Sequence, residues 1–253
     1  MSLLHEKKVV SYFTEFLEKQ NKFLIDFTRP KEYPLFKFIE EIIRERNEEQ
    51  LSILEVGCGI GHTLESINRF FPGNKLYGID ITPSLIEFAK KYRNPEINFK
   101  IGSVLNLPYR ENSFDIVFAE NVLHHLVSST REKSKKLVEV ALKECARVLR
   151  NGGYILVDEC LVRDKFNSYL LFYISNIWSR IGFFEIPMFE MNKNVNVSFL
   201  TFKEFIKIIE NVGFNTICKT IKIWKPKNIT EFIKQKLLHY VDRNVYYMGK
   251  ICK

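Results

Sequence analysis

Nowhere in the 253 residues does an uncharged apolar run approach the ~20 that a helix needs to cross a bilayer, which argues against a transmembrane segment. The stretch from Met1 to Asn21 lacks the order of an export signal: Glu6, Lys7, Lys8, Glu15 and Glu18 interleave with apolar residues, and no long apolar centre follows the basic ones. The five cysteines (Cys58, Cys145, Cys160, Cys218 and Cys252) include no CxxC pair, and their scatter fits neither a zinc site nor a disulfide framework. Free thiols and a cytoplasmic location are the expectation, with no metal. Low-complexity tracts and repeats at solenoid periods are also absent.

What remains is an ordinary globular composition, 46% hydrophobic and 27% charged, enough to fill a core. One domain with appendages is the default for this length. Charge is unevenly placed. The net value is +8, and from Lys219 to Lys253 about nine Lys and Arg face two acids, Glu231 and Asp242. A basic stretch of this kind can attract nucleic acid or an anionic membrane surface.

Periodicity divides the chain into alternating elements. Val9, Val10, Phe13, Phe16 and Leu17 recur at helical spacing, as do Phe36, Ile39, Ile42 and Ile43, with Arg29-Pro30 and Tyr33-Pro34 breaking the two stretches apart. Strands are predicted at Leu51–Val56, Lys75–Ile79, Ile97–Ile101, Phe114–Ala119 and Tyr154–Asp158, the last preceded by an Asn151-Gly152-Gly153 turn. Helices at Thr63–Phe70, Ser84–Tyr92 and Lys133–Leu149 lie between them, which implies a parallel sheet with helices on both faces. An apolar, aromatic-rich insert, Phe166–Met191, comes next. Then follow a helix at Thr201–Asn211, a strand at Thr216–Trp224, an amphipathic helix at Ile229–Val241 and a last strand at Val245–Cys252. The expected organisation is a helical N-terminal cap over 1–50, a ligand-binding core over 51–160, an apolar lid insertion over 161–200, and the rest of the same sheet domain over 201–253.

The chemistry is concentrated where the first predicted strand meets its helix. Gly57, Gly59 and Gly61 space a turn in which backbone N–H groups can approach a ligand at the positive end of a helix. Asp80 ends the next strand about twenty residues later, a spacing that suits an acceptor for ribose hydroxyls. The spacing is GxGxG, whereas dinucleotide dehydrogenases use GxGxxG, and His62 falls where their third glycine would be. Glu55 sits inside an otherwise apolar strand, and a carboxylate there is costly without donors or a cation nearby.

Glu55 through Gly61 reads ExGxGxG. Leu76 to Asp80 is followed by Ile81. Further on come Ile101-Gly102-Ser103-Val104, Leu107-Pro108-Tyr109, Ser113-Phe114-Asp115-Ile116-Val117, and Arg147-Val148-Leu149-Arg150-Asn151-Gly152-Gly153. Over Leu51 to Glu159 the chain resembles the class I, Rossmann-like S-adenosylmethionine-dependent methyltransferases of the small-molecule type. The resemblance implies a seven-stranded, mostly parallel sheet and S-adenosylmethionine as cofactor. It also implies roles for individual residues. Gly57, Cys58, Gly59 and Gly61 would wrap the methionine part, with Glu55 ordering the loop and the amino group. Asp80 would bind the ribose, Ile81 would pack on adenine, Ser103 and Val104 would line the adenine edge, and Asn121 would meet the methionine end. Relatives often carry Asp where this chain has Ser103; a neutral hydroxyl there predicts weaker adenine selectivity.

Methyl transfer needs mainly positioning, and a general base only where the acceptor must lose a proton. The candidate base lies in Asn121-Val122-Leu123-His124-His125-Leu126. It is His125, with His124 as the lesser choice; ordinary packing of the pair is the plain alternative. No Pro-Cys nucleophile occurs, and Glu120-Asn121-Val122-Leu123 stands where amino-directed base methyltransferases often carry NPPY, so nucleic acid is the less favoured partner. The insert points to a small apolar or amphipathic acceptor, with Tyr169, Tyr173 and Trp178 as polar tips and Tyr33 and Phe36 closing the other side. The alternatives are an RNA- or protein-modifying methyltransferase that docks through its basic C-terminal region, and a cofactor-binding regulator without turnover. Peripheral contact of the basic stretch with an anionic membrane is the further expectation.

Overall fold

In the computed structural model, residues 3–25, 28–47, 50–181, 195–223 and 243–253 are described. Five short apolar segments form parallel strands: β1 (Ser52–Val56), β2 (Lys75–Asp80), β3 (Asn98–Ile101), β4 (Phe114–Glu120) and β5 (Leu149–Leu161). β6 (Phe214–Ile223) and β7 (Arg243–Ile251) complete a seven-stranded sheet in the order β3-β2-β1-β4-β5-β7-β6. Only β7 runs against its neighbours, being antiparallel to both β5 and β6. The order steps outward from β1 in one direction and from β4 in the other. Such a reversal opens a crevice at the carboxyl ends of the central strands, where open α/β sheets bind ligands.

Helices cover both faces. On one, Val138 and Leu142 of α5 (Arg131–Val148) and Phe205 and Ile209 of α7 (Phe202–Val212) meet Val117 and Ile155 of the sheet. On the other, α2 (Pro34–Glu45), α3 (His62–Phe70) and α4 (Pro83–Tyr92) bury Phe36, Ile39, Leu64, Ile67 and Ile86 against Ile53 and Phe118. β4 is buried along its whole length because it has strands on both sides and helices on both faces.

Two expectations change. The N-terminal region is not one cap. α2 belongs to the core, with Leu35, Phe36, Ile39 and Ile42 all at 2% exposure or less. α1 (Leu3–Ile25) instead lies along α4, joined through Phe13, Leu17 and Leu24 to Leu85, Phe88 and Ile60. The glycine pair before the fifth strand is part of it: Leu149 already pairs with Phe114, the register shifts before Ile116 pairs with Tyr154, and Gly152 takes φ +72° within this irregularity. The insert contributes α6 (Lys165–Ile181), while the rest of it, 182–191, and the amphipathic helix expected at 229–241 lie outside the described residues.

A reciprocal cap starts α7. The Glu204 amide donates to Thr201 Oγ1 (3.3 Å), and the Thr201 amide donates to Glu204 Oε2 (3.1 Å). Thr201→Ala is expected to lower the unfolding free energy by about 1 kcal/mol, as measured by urea denaturation. A change near zero would mean that the ion pair between Arg131 and Glu204 fixes the start of this helix without the cap.

Candidate active site

The turn after β1 is folded back onto β2 by two donors, the amides of Gly57 (2.8 Å) and Cys58 (3.0 Å), which share the Ile79 carbonyl. Gly57, Gly59 and Gly61 all have positive φ, at +69°, +51° and +72°. Their reasons differ. A Cβ on Gly57 would lie 2.4 Å from Val122 Cγ2, and one on Gly61 would lie 2.5 Å from Phe99 Cζ, whereas one on Gly59 would meet nothing within 4 Å. Gly57 and Gly61 are required by close packing, while Gly59 keeps an open space clear.

That space is a cavity of about 250 Å³ at the carboxyl ends of β1, β2 and β4. Every cofactor residue expected from the sequence lines it except Gly61, which sits just behind it as the left-handed residue preceding α3. Asp80 is held from both sides: Oδ2 accepts from the Gly59 amide (2.9 Å) and Oδ1 from the Thr82 amide (2.8 Å). These donors oppose burial, which still pushes the Asp80 carboxyl above its ordinary value. Each oxygen retains capacity for another donor, as a ribose diol requires. Ile81 and Val104 supply apolar walls, and Ser103 Oγ accepts from the Leu105 amide (3.3 Å).

At the other end Glu55 is 2% exposed. Burial pushes its carboxyl well above the usual range, opposed by the positive charge of Arg29, and its Oε2 has no hydrogen-bond partner. An orphaned buried acceptor beside a cavity fits a cationic donor such as a methionine ammonium. Two residues that sequence reasoning missed complete this end. Glu120 closes β4, accepting from Thr63 Oγ1 (2.8 Å) and pairing with Arg29, and both line the cavity. The criterion that marked Glu55, a charge in a buried strand, also marks Glu120. Arg29 lies in an irregular link and carries no such signal. His62 is held neutral, its imidazole pushed down to about 3 by burial and by the charges of Arg29 and Arg93.

The tip of β4 presents the histidine pair. Asn121 takes φ +51°, a conformation Asn tolerates, and its amide donates to the Asp158 carbonyl (2.8 Å). Glu159 then organises the following 3-10 turn, Leu123–His125: Oε2 accepts from the Leu123 amide (2.8 Å), and Oε1 lies 2.5 Å from His124 Nδ1. His124 also stacks on Phe199, with ring centroids 5.1 Å apart, so it is occupied in structure. His125 lines the cavity, its ring meeting the edge of Phe13 at 5.5 Å.

The roof comes from α1, through Val9 and Phe13. The described part of the insert contributes no lining residue. Tyr169 donates to Glu132 (2.7 Å), Tyr173 is exposed, and Trp178 packs beside Tyr12. Tyr33 is likewise turned away, donating to Asp158 Oδ2 (2.7 Å) within the core, and Phe36 lies beneath it. The roof helix is tied down by Arg93. Its Nε donates to the Ile60 carbonyl (2.9 Å), and Nη1 and Nη2 donate to Ile25 and Leu24 (both 2.8 Å). Thr14 and Ser84 hydroxyls meet at 2.8 Å farther along α1.

Asp80→Ala removes the carboxylate expected at the ribose and the anchor of the Gly59 amide. S-adenosylmethionine affinity should fall by ~1.5–3 kcal/mol, or roughly 10- to 150-fold. Calorimetric titration measures this, and unchanged affinity in a folded variant would move the ribose elsewhere.

Residues 54–157 match a family described as a methyltransferase domain. An uncharacterised protein of Methanocaldococcus jannaschii is 28% identical over 239 residues, covering 86% of this chain and 95% of that protein. The ubiquinone/menaquinone biosynthesis C-methyltransferase UbiE of Campylobacter jejuni is 28% identical over 181 residues, covering 67% and 73%. Matches to some other methyltransferases span less than half of those proteins' length. Among solved structures, an S-adenosylmethionine-dependent methyltransferase from Methanosarcina mazei aligns with a TM-score of 0.59 at 19% identity, covering 87% of this chain and 98% of that one, which establishes a shared fold. With the motif residues gathered around one cavity, residues 54–157 are a methyltransferase domain, on a fold shared with S-adenosylmethionine-dependent methyltransferases.

Proposed function

We propose that the enzyme methylates a small apolar or amphipathic acceptor that enters between α1 and the tip of β4. The observation that carries this reading is the make-up of the cavity wall. Beside the charged Glu55, Arg29, Glu120 and Asp80, suited to the cofactor's polar groups, it carries Val9, Phe13, Val122 and Leu126, and Phe13 packs against His125. An apolar wall with one convergent polar group is typical of a small-molecule site. Among the described residues Arg29 is the one Lys or Arg lining the cavity, and it is paired with Glu120, so the described part of the mouth lacks the row of cations that tracks a phosphate backbone. The UbiE relative, named for quinone biosynthesis, supports the same class of acceptor.

The cofactor supplies an electrophilic methyl on a good leaving group. The chain's own residues do the positioning. Asp80 would orient the ribose, and Ile81 and Val104 would enclose the adenine, with Ser103 at its edge. The Gly57–Gly59 backbone and Asn121 would hold the methionine chain, with Glu55 for its ammonium and Arg29 for its carboxylate. Val9 and Phe13 exclude water above. His125 is the group placed to accept a proton from an acidic acceptor oxygen or carbon.

Transfer of radiolabelled methyl should be offered three substrate sets: prenylated and unprenylated quinols, transfer-RNA transcripts, and a protein extract. Label in organic-extractable quinol or phenol products supports the proposal. Label confined to RNA, with binding that falls steeply with salt, overturns it in favour of the docking alternative. Of the nine Lys and Arg on which that alternative depends, Lys225, Lys227, Lys234 and Lys236 lie in 224–242, outside the described residues.

A further inference from the structure

α6 is apolar on both of its faces. Its inward face buries Leu171 and Phe172 together with Ser168, Ser175 and Ser179; Ser168 Oγ donates to the Phe199 carbonyl (2.5 Å) and Ser175 Oγ to that of Val197 (3.1 Å). Its outward face carries Phe166, Tyr173 and Ile177, exposed at 74%, 57% and 58%. Spaced by seven and then four residues, these three fall on one stripe of the helix. A helix that presents large apolar side chains on its outward face as well as on its inward one is shaped for an apolar surrounding.

The two ends of the stripe are cationic. Exposed Arg163 and Lys165 precede the first turn, and exposed Arg180 ends the last. The intervening acid, Asp164, is occupied as a cap, accepting from the Asn167 amide (2.9 Å) and from Asn167 Nδ2 (2.8 Å). No described helix is long and apolar enough to cross a membrane. An apolar stripe bracketed by cations lies in the plane of an interface, with its rings among acyl chains and its cations at headgroup level. A second copy of the chain fits less well, because antiparallel helices across a two-fold axis would set cationic end against cationic end. The stripe also communicates with the active site. Ile174 and Trp178 share a cluster with Tyr12, whose ring lies 5.0 Å from that of Phe13, the roof residue in contact with His125.

We propose that α6 docks the enzyme on an anionic lipid bilayer, its Phe166–Tyr173–Ile177 stripe inserted and Arg163, Lys165 and Arg180 on the headgroups. Flotation with vesicles tests docking without any turnover, so its result stands apart from the identity of the acceptor. The full chain should float with phosphatidylcholine vesicles containing phosphatidylglycerol. Phe166→Ser combined with Ile177→Ser should reduce the floated fraction by about tenfold or more. The triple variant Arg163→Gln, Lys165→Gln, Arg180→Gln should lose the preference for anionic over pure phosphatidylcholine vesicles. Both substitution sets are on the surface, and unchanged S-adenosylmethionine affinity verifies their fold. Three results would overturn the proposal: a wild-type chain that stays at the bottom of the gradient, a serine variant that floats as well as wild type, or self-association that the serine variant abolishes without any flotation.

Discussion

Gly59→Val is expected to abolish S-adenosylmethionine binding in a chain that still folds. Valine at φ +51° is strained, and its β-branched side chain would project into space where a Cβ meets nothing within 4 Å. The fold tolerates this because no neighbour is displaced, while a ligand in the cavity is. Gly57→Val offers the contrast, since its Cβ would collide with Val122 and the damage falls on the fold itself. Calorimetry with thermal unfolding of both variants separates the cases. A Gly59→Val protein that binds normally would show that the cofactor does not approach this backbone.

His125→Gln should lower kcat by roughly 100-fold at unchanged S-adenosylmethionine affinity, the scale of a lost general base, when the acceptor must surrender a proton. Glutamine keeps a polar side chain near the Phe13 ring but takes up no proton at neutral pH. His124→Gln provides the control: it breaks the contact with Glu159 and should act mainly on stability. A kcat that His125→Gln leaves within about threefold would make the residue part of the wall and leave positioning to carry the catalysis.

The sheet and most of the residues that gather at the glycine turn were legible because they rest on local chemistry. Strand–glycine–helix spacing, an acid ending β2 and a charge inside β1 are all visible within short windows. The side of the cavity under α1 was not. Its roof comes from Val9 and Phe13, whose helical spacing reveals a helix but not what the helix covers. Arg29 reaches the cavity from an irregular link, and its meaning depends on Glu120, about ninety residues away. The described part of the aromatic insert, α6, reads as a lid by its large side chains, yet they pack beside Tyr12 or face outward and none lines the cavity. Tyr33 likewise reads as a pocket residue by type, yet its hydroxyl is committed to Asp158.

Arg93 gives the roof a particular mechanical character. A single planar guanidinium holds two carbonyls of the last turn of α1 and one of the glycine turn, at 2.8, 2.8 and 2.9 Å. Three acceptors on a rigid fork leave little independent freedom between the two segments. The trailing end of α1 and the cofactor loop therefore behave as one body, while Val9 and Phe13, several turns away, are held by ring contacts and one hydroxyl pair. The hold on this roof helix is graded along its length, greatest where it meets the glycine turn and least above His125.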